Sequence, residues 1–177
     1  MVASTPTSTS ALQMQLMAEL VAASATFQTL VAESPEALAR NHVYYPIALD
    51  DGTQPIPRAI VTDAGESSIG FLGTGSTGRS GNFFVTFEMD IPVGDDDDNE
   101  KQQYIYFQNK LGAIKEEMMT KVVTRVDSPS GGTHLNVTSI EVDEGPFMED
   151  TEEMDREPGD GIPQPRWWVV LICTWQG

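Results

Sequence analysis

The sequence is poor in cysteine, basic residues and histidine, and each shortage argues against a class of function. Cys173 is the only cysteine among 177 residues, so the chain forms no intrachain disulfide and no cysteine-based metal site. Ten Lys and Arg residues stand against 27 Asp and Glu residues, for a formal net charge of −17. This balance argues against a general nucleic-acid binder, because neutralising phosphates requires an excess of basic side chains.

The two histidines, His42 and His134, have no neighbouring Ser, Cys or metal-ligand pattern at useful spacing. Nucleophilic catalysis needs a base beside an activated nucleophile, and a zinc site needs more ligands than these. A hydrolase or nuclease would need carboxylates that converge on a metal. We therefore expect no enzymatic activity, no cofactor and no metal.

Long apolar runs without charges are also missing, and the first ten residues lack the basic start and apolar centre of a secretory leader. We therefore expect a soluble, intracellular protein. Residues 1–10 are small and polar and include a proline, which is typical of a flexible arm. Residues 11–177, rich enough in apolar side chains to bury a core, are expected to form a single domain.

Apolar residues at three- and four-residue steps predict two principal helices, one from Ser10 to about Glu33 and one after the Asp95–Asp98 run. The apolar stripe of the second helix consists of Tyr104, Phe107, Leu111, Ile114, Met118 and Val122. A short helix is predicted from Ser34-Pro35-Glu36 to about Arg40, because serine is a good N-cap and proline suits the first helical position. The aspartate run is interpreted as a solvated helix cap, since its consecutive acids do not match a calcium loop.

Four strands are predicted, over residues 58–64, 83–91, 135–142 and 166–175. The second is expected to be half-buried, because Phe83, Val85, Phe87, Met89 and Ile91 alternate along it and share one face. The last is apolar on both alternating faces, which is typical of a central strand buried on both sides, and we expect it to pair antiparallel with the strand at 135–142. The expected fold is α+β, in the order α-(α)-β-β-α-β-β. Its mainly antiparallel sheet carries the two principal helices on one face.

Two segments are predicted to be mobile loops, 65–81 and 143–165, the first of them a hairpin loop with room for a short strand. The first contains Gly73 to Ser80, which approaches a phosphate-binding loop but has Arg79 where lysine is required and is followed by a strand instead of a helix. The candidate partner-binding residues in these loops are Ile69, Phe71, Leu72, Arg79, Phe147 and Met148. The candidate acidic lumen or solvent surface consists of Asp95, Asp96, Asp97, Asp98, Glu149, Asp150, Glu152 and Glu153.

From Ala11 to Trp175 this order resembles the phage tail-terminator family, of the minor tail protein U type, and the tail-completion proteins of long-tailed phages. The resemblance rests on the opening helix, the Pro-containing connection, the strands at Ala59–Val61 and Phe83–Pro92, the long helix to Val122, and a hydrophobic final strand after an acidic loop. The chain departs from the family in its longer opening helix, its Gly-rich loop and its large acidic insertion.

The resemblance implies a virion protein of the tail or neck, assembled in the host cytoplasm. It implies a homo-oligomeric ring, commonly a hexamer, that caps the tail tube, stops its polymerisation and joins it to the head-side connector protein. DNA would pass through an acidic lumen without specific binding. Two alternatives stay open: another phage neck or head–tail connector protein, and a non-enzymatic ligand- or peptide-binding module with a pocket lined by Tyr44, Tyr45, Trp167 and Trp168.

Overall fold

The computed structural model describes residues 9–45, 55–64, 68–71, 77–90, 99–120, 122–125, 133–149 and 166–176. Within these residues the helices are α1 (Thr9–Ala22), α2 (Ala25–Leu30), α3 (Glu36–Ala39, followed by a 3₁₀ turn at Arg40–His42) and α4 (Asn99–Thr120). The strands are β1 (Val43–Tyr44), β2 (Arg58–Asp63), β3 (Ser68–Phe71), β4 (Thr77–Asp90), β5 (Val122–Arg125), β6 (Thr133–Glu149) and β7 (Arg166–Gln176).

The described strands form one sheet in the order β1-β2-β4-β7-β6-β5, with β3 pairing with β4 as well. Every one of these pairs is antiparallel except β1 with β2. The predicted α+β fold with a mainly antiparallel sheet is confirmed. So is the central position of the terminal strand, because β7 lies between β4 and β6 along almost its whole length.

The predicted opening helix is divided into α1 and α2 at Ser24. The Ser24 backbone is extended (φ −65°, ψ 123°), and its Oγ accepts a hydrogen bond from the Phe27 backbone N–H at 3.0 Å. This side chain therefore caps a new helix instead of continuing the old one. The predicted long helix also ends earlier than expected, at Thr120, because Val122 begins β5.

The core lies between the helices and one face of the sheet, the inner face. On β7 this face consists of Trp167, Val169, Leu171, Cys173 and Trp175, all of them buried. The helices contribute buried apolar side chains from Leu16, Leu20, Phe27, Phe107, Leu111, Ile114 and Met118. Both principal helices contact β6, and α1 also contacts β1, β2 and β5. Burial of these alternate strand residues holds β7 in register, because a slip of one residue would expose the whole set.

The prediction that both faces of β7 are buried is wrong for the second face. Its residues Trp168, Val170 and Ile172 are partly exposed and do not belong to the core that the helices cover. The alternation of the strand correctly indicated two apolar faces. Among the described elements, however, the buried helix residues cluster with one face only.

The two predicted loops contain strands. Residues 68–71 form β3 and residues 77–81 form the start of β4, paired as a hairpin, while residues 143–149 extend β6. Sheet pairing uses the backbone, so the Gly- and Ser-rich or acidic side chains of these segments did not reveal it. Residues 65–67, 72–76 and 150–165 lie outside the described residues. None of the described helices is long and apolar enough to cross a membrane.

Candidate interface

The face of the sheet opposite the core carries a partly exposed apolar surface. Cross-strand pairing aligns Ile60 with Thr86 and Val170, and Thr62 with Phe84 and Ile172. We call this surface the outer face and define it by Ile60, Thr62, Phe84, Thr86, Trp168, Val170 and Ile172, each of intermediate exposure. An antiparallel sheet that faces water on one side normally alternates apolar with polar residues. The two strands at the centre of this sheet present Phe84, Val170 and Ile172 to the outer side instead.

The outer face ends in an aromatic pair at one end of β6. The ring of Phe147 lies 4.8 Å from that of Trp168, centroid to centroid, with the planes tilted by 50°. Phe147 is 49% exposed and the adjacent Met148 is 39% exposed. Both are candidate partner residues from the sequence. The register places Phe147 beside Trp168 on the outer side and Met148 beside Trp167 on the inner side. The two side chains therefore lie on opposite faces of the sheet.

A further apolar group on α4 was not among the sequence candidates. Tyr104, Ile105 and Tyr106 are each about half exposed, at 44%, 57% and 45%. The apolar spacing predicted that Tyr104 would be buried, but its side chain is half exposed, with its ring tilted by 57° to that of Trp167 at a centroid distance of 5.8 Å. Gln103 is buried in its place, since its Oε1 accepts a hydrogen bond from the indole Nε1–H of Trp167 at 3.2 Å. A buried indole needs an acceptor, and a pattern of apolar spacing does not reveal which residue supplies it.

The acidic residues of β6 lie beside this apolar surface. Glu141, Asp143 and Glu144 are exposed, and Val142 between them is 45% exposed. The sequence placed two of these acids in a loop, whereas the structure places all three on a strand whose backbone is held by β7. The irregularities in pairing on either side of Glu144 bend the strand at this point.

The structure describes only some of the other candidate residues that the sequence suggested. Ile69 and Phe71 lie in β3, and Arg79 lies in β4 directly opposite Ile69 in the register. Glu149 is the last residue of β6. The other candidates, Leu72, Asp95, Asp96, Asp97, Asp98, Asp150, Glu152 and Glu153, lie outside the described residues.

The pocket formed between α2, α4 and the sheet is too small for a ligand. It is lined by Phe27, Phe87 and Phe107 among others and has a volume of about 10 Å³, room for a single water molecule. The aromatic pocket expected for a ligand-binding module is not assembled by the two tryptophans, because Trp167 and Trp168 face opposite sides of the sheet. The described residues include no group of three or more His, Cys, Asp or Glu side chains placed to hold a metal ion.

The buried ionic and polar groups serve the fold. Arg58, only 3% exposed, donates from Nε to Oε2 of Glu88 at 2.8 Å across the β2–β4 pair. Burial raises the pKa of the Cys173 thiol to about 12, although nearby Lys115 acts in the opposite direction. This thiol is therefore protonated at neutral pH and is not an activated nucleophile.

Glu117 joins α4 to the start of α2. Its carboxylate accepts hydrogen bonds from Ser24 Oγ at 2.7 Å, from Thr26 Oγ1 at 2.8 Å and from the Thr26 backbone N–H at 3.2 Å. Burial by itself raises the pKa of Glu117, but the hydrogen bonds from Ser24 and Thr26 outweigh it and lower the pKa below its ordinary value. The carboxylate is therefore a charged tether between two helices that both pack on the inner face.

Compared with known proteins, the sequence matches no protein-family model and no curated protein.

Proposed function

We propose that the protein is a structural subunit of a phage tail terminator. Its subunits form a ring that caps the tail tube, stops its polymerisation and joins the tail to the head-side connector. In this role the protein works by contact alone, as a non-enzymatic component of the virion. DNA passes through the ring without specific binding.

The observation that carries the proposal is the outer face of the sheet. Val170 and Ile172 on β7 and Phe84 on β4 form a contiguous, partly exposed apolar centre. Each square ångström of apolar surface removed from water contributes about 25 cal/mol, so covering this centre favours association. A protein whose central strand is apolar on both faces, with helices on one, is suited to work inside an assembly.

The exposed aromatic and apolar residues at the end of β6 and on α4 extend the contact area to other sides of the molecule. Phe147 is exposed on the outer side of the sheet, Met148 on the inner side, and Tyr104 and Ile105 on α4. Contacts on different surfaces suit a closed ring, in which one patch of a subunit meets a different patch of its neighbour. They also leave area for a tube protein or a connector.

The charge is consistent with a DNA passage. The net charge is −17, and Glu141, Asp143 and Glu144 are exposed acids on β6. Carboxylates facing a lumen would repel the phosphates of passing DNA, so that the DNA would slide without being retained.

The assembly state tests the proposal. We expect light scattering over a concentration series, with negative-stain imaging, to show a ring of about six subunits, either for the protein alone or after mixing with tail tubes. Ile172→Lys places a charge in the apolar centre of the outer face and is expected to abolish the ring. Ala37→Lys adds the same charge at an exposed position of α3 and is expected to assemble normally.

Both variants should keep the native circular dichroism spectrum, since each replaced side chain is at least partly exposed. A native protein that stays monomeric at every concentration and does not cap tail tubes would refute the proposed function. Normal ring formation by folded Ile172→Lys would show that the outer face is not the contact surface.

A further inference from the structure

Strand β6 has one edge that no described strand occupies. Its residues from Asn136 onward pair with β7 on one side, but on the other side β5 pairs only with residues 133–136. In the described part of the chain, no loop backbone bonds to the rest of this edge either. A strand edge of this kind presents a row of backbone N–H and C=O groups that a further strand can bind.

The side chains of this edge specify what fits there. We call residues 139–144 the acidic edge. Glu141 pairs with Ile172 and Glu144 with Val170 on the outer side, Val142 pairs with Leu171 on the inner side, and Asp143 is the extra residue of the bulge between Val142 and Glu144. Leu171 is fully buried while Val142, its neighbour on the same face, is 45% exposed. In the described part of the chain, the inner face of the sheet is therefore only partly covered at Val142, and an additional strand would complete the cover.

A second copy of the same strand does not suit the acidic edge. Antiparallel pairing of two β6 strands around Val142 would bring Glu141, Asp143 and Glu144 of each copy close to the same acids of the other. Like charges directly opposite each other destabilise a sheet. The bend around Gly145, whose φ is +91°, further limits regular pairing of two such strands.

We infer that the acidic edge binds an extended segment of a partner protein as an additional strand, and that basic residues alternate with apolar residues in this segment. Its basic side chains lie beside Glu141 and beside the acidic bulge at Asp143 and Glu144, where opposite charges stabilise the contact between neighbouring strands. Its apolar side chain lies opposite Val142 and covers the exposed part of the inner face. Backbone hydrogen bonds supply affinity, and the alternation supplies selectivity. The inference does not rest on the proposed ring, because it concerns one strand of one subunit.

A fluorescein-labelled peptide, Lys-Val-Lys-Val-Lys with blocked ends, is the probe. Its binding to the full-length protein is measured by fluorescence anisotropy at low salt. A second peptide of the same sequence and charge, N-methylated at all five residues, cannot donate backbone hydrogen bonds to the edge. We expect the first peptide to bind and the methylated peptide to lose most of that binding.

Charge reversal locates the site. In Glu141→Lys/Asp143→Lys the affinity for the unmethylated peptide is expected to fall about tenfold or more, because two favourable pairs become two repulsive ones. The control Glu36→Lys/Glu116→Lys makes the same change in net charge at exposed helical positions and is expected to bind nearly as well as the native protein.

Three results would overturn the inference: no binding by the unmethylated peptide, equal binding by the methylated peptide, or equal weakening in the two double variants. Either of the last two would mean that the negative chain attracts any cation. The comparison between peptides uses the native protein, so it decides the question even if a variant does not fold.

Discussion

Replacing Glu117 with alanine removes the tether between α4 and α2. Three hydrogen bonds end on its carboxylate, two from Thr26 and one from Ser24. The change leaves the Ser24 and Thr26 donors without their charged acceptor. It leaves intact the N-cap bond from the Phe27 N–H to Ser24 Oγ.

The expected loss follows from the number of bonds and the exposure of the site. A hydrogen bond to a charged group contributes about 1.5–3 kcal/mol when buried. Glu117 is partly exposed, and water can replace some of that interaction. We therefore expect about 1 kcal/mol per bond, and a decrease in the free energy of unfolding of about 2–3 kcal/mol at neutral pH.

The pH dependence distinguishes the tether from simple loss of packing. The pKa of Glu117 is lowered below its ordinary value of 4.5 in the folded protein, so the unfolded state binds its proton at a higher pH than the folded state does. The stabilisation is therefore fully present above pH 4.5 and is lost as the pH falls through the folded pKa. The difference in free energy of unfolding between the native protein and Glu117→Ala should therefore narrow as the pH is lowered below 4.5.

Urea denaturation at neutral and acidic pH measures both quantities. Glu116→Ala, which removes an exposed carboxylate from the same helix, is expected to change stability by about 0.5 kcal/mol or less. A double-mutant cycle with Thr26→Val should give a coupling of about 1 kcal/mol, since that substitution removes the hydroxyl donor and keeps the shape. A pH-independent difference, or a coupling indistinguishable from zero, would refute the assignment.

The buried Cys173 thiol, with its pKa raised to about 12, should react with iodoacetamide only after denaturation, as monitored by mass spectrometry. Rapid alkylation of the native protein would contradict its burial. On β7, Leu171→Ala should lower the free energy of unfolding by about 2–5 kcal/mol. Ile172→Ala in the monomer should lower it clearly less, because Leu171 is fully buried and Ile172 is partly exposed. Urea denaturation of both variants checks this assignment of the two faces, and equal losses of stability would contradict it. Trp167→Phe removes the indole donor to Gln103 and should lower the free energy of unfolding by about 1–2 kcal/mol. In a Gln103→Ala background the same substitution should lower it by less. A double-mutant cycle measured by thermal denaturation tests this difference.

The strands with regular side-chain patterns were predictable from the sequence. Alternation identified the buried positions of β4, namely Phe83, Val85, Phe87 and Met89, because the period of a strand is a local property of the backbone. The apolar run at the end of the chain correctly indicated a central strand. The sequence did not reveal β5, and it indicated β1 and β3 only as parts of the Pro-containing connection and of a hairpin loop, because edge strands depend on a neighbouring backbone being available for pairing.

The candidate interface was predictable only in part. Phe147 and Met148 were expected to be available to a partner and are exposed, since two apolar residues in an acidic segment stand out. Tyr104 was expected to be buried, but Gln103 occupies the buried position because the indole of Trp167, distant in sequence, needs an acceptor. Apolar periodicity cannot anticipate that choice, since it depends on a partner residue brought close by folding.

The sequence by itself determined the class of the fold and the two apolar faces of β7, because composition and period are carried by neighbouring residues. Tertiary structure decided where the opening helix divides, since Ser24 and Thr26 bind a carboxylate more than ninety residues away in Glu117. It also decided which face of β7 the helices cover and which edge of β6 no described strand occupies. Those outcomes depend on which elements meet in space, and the physical reason is that burial and strand pairing are properties of contacts between distant segments.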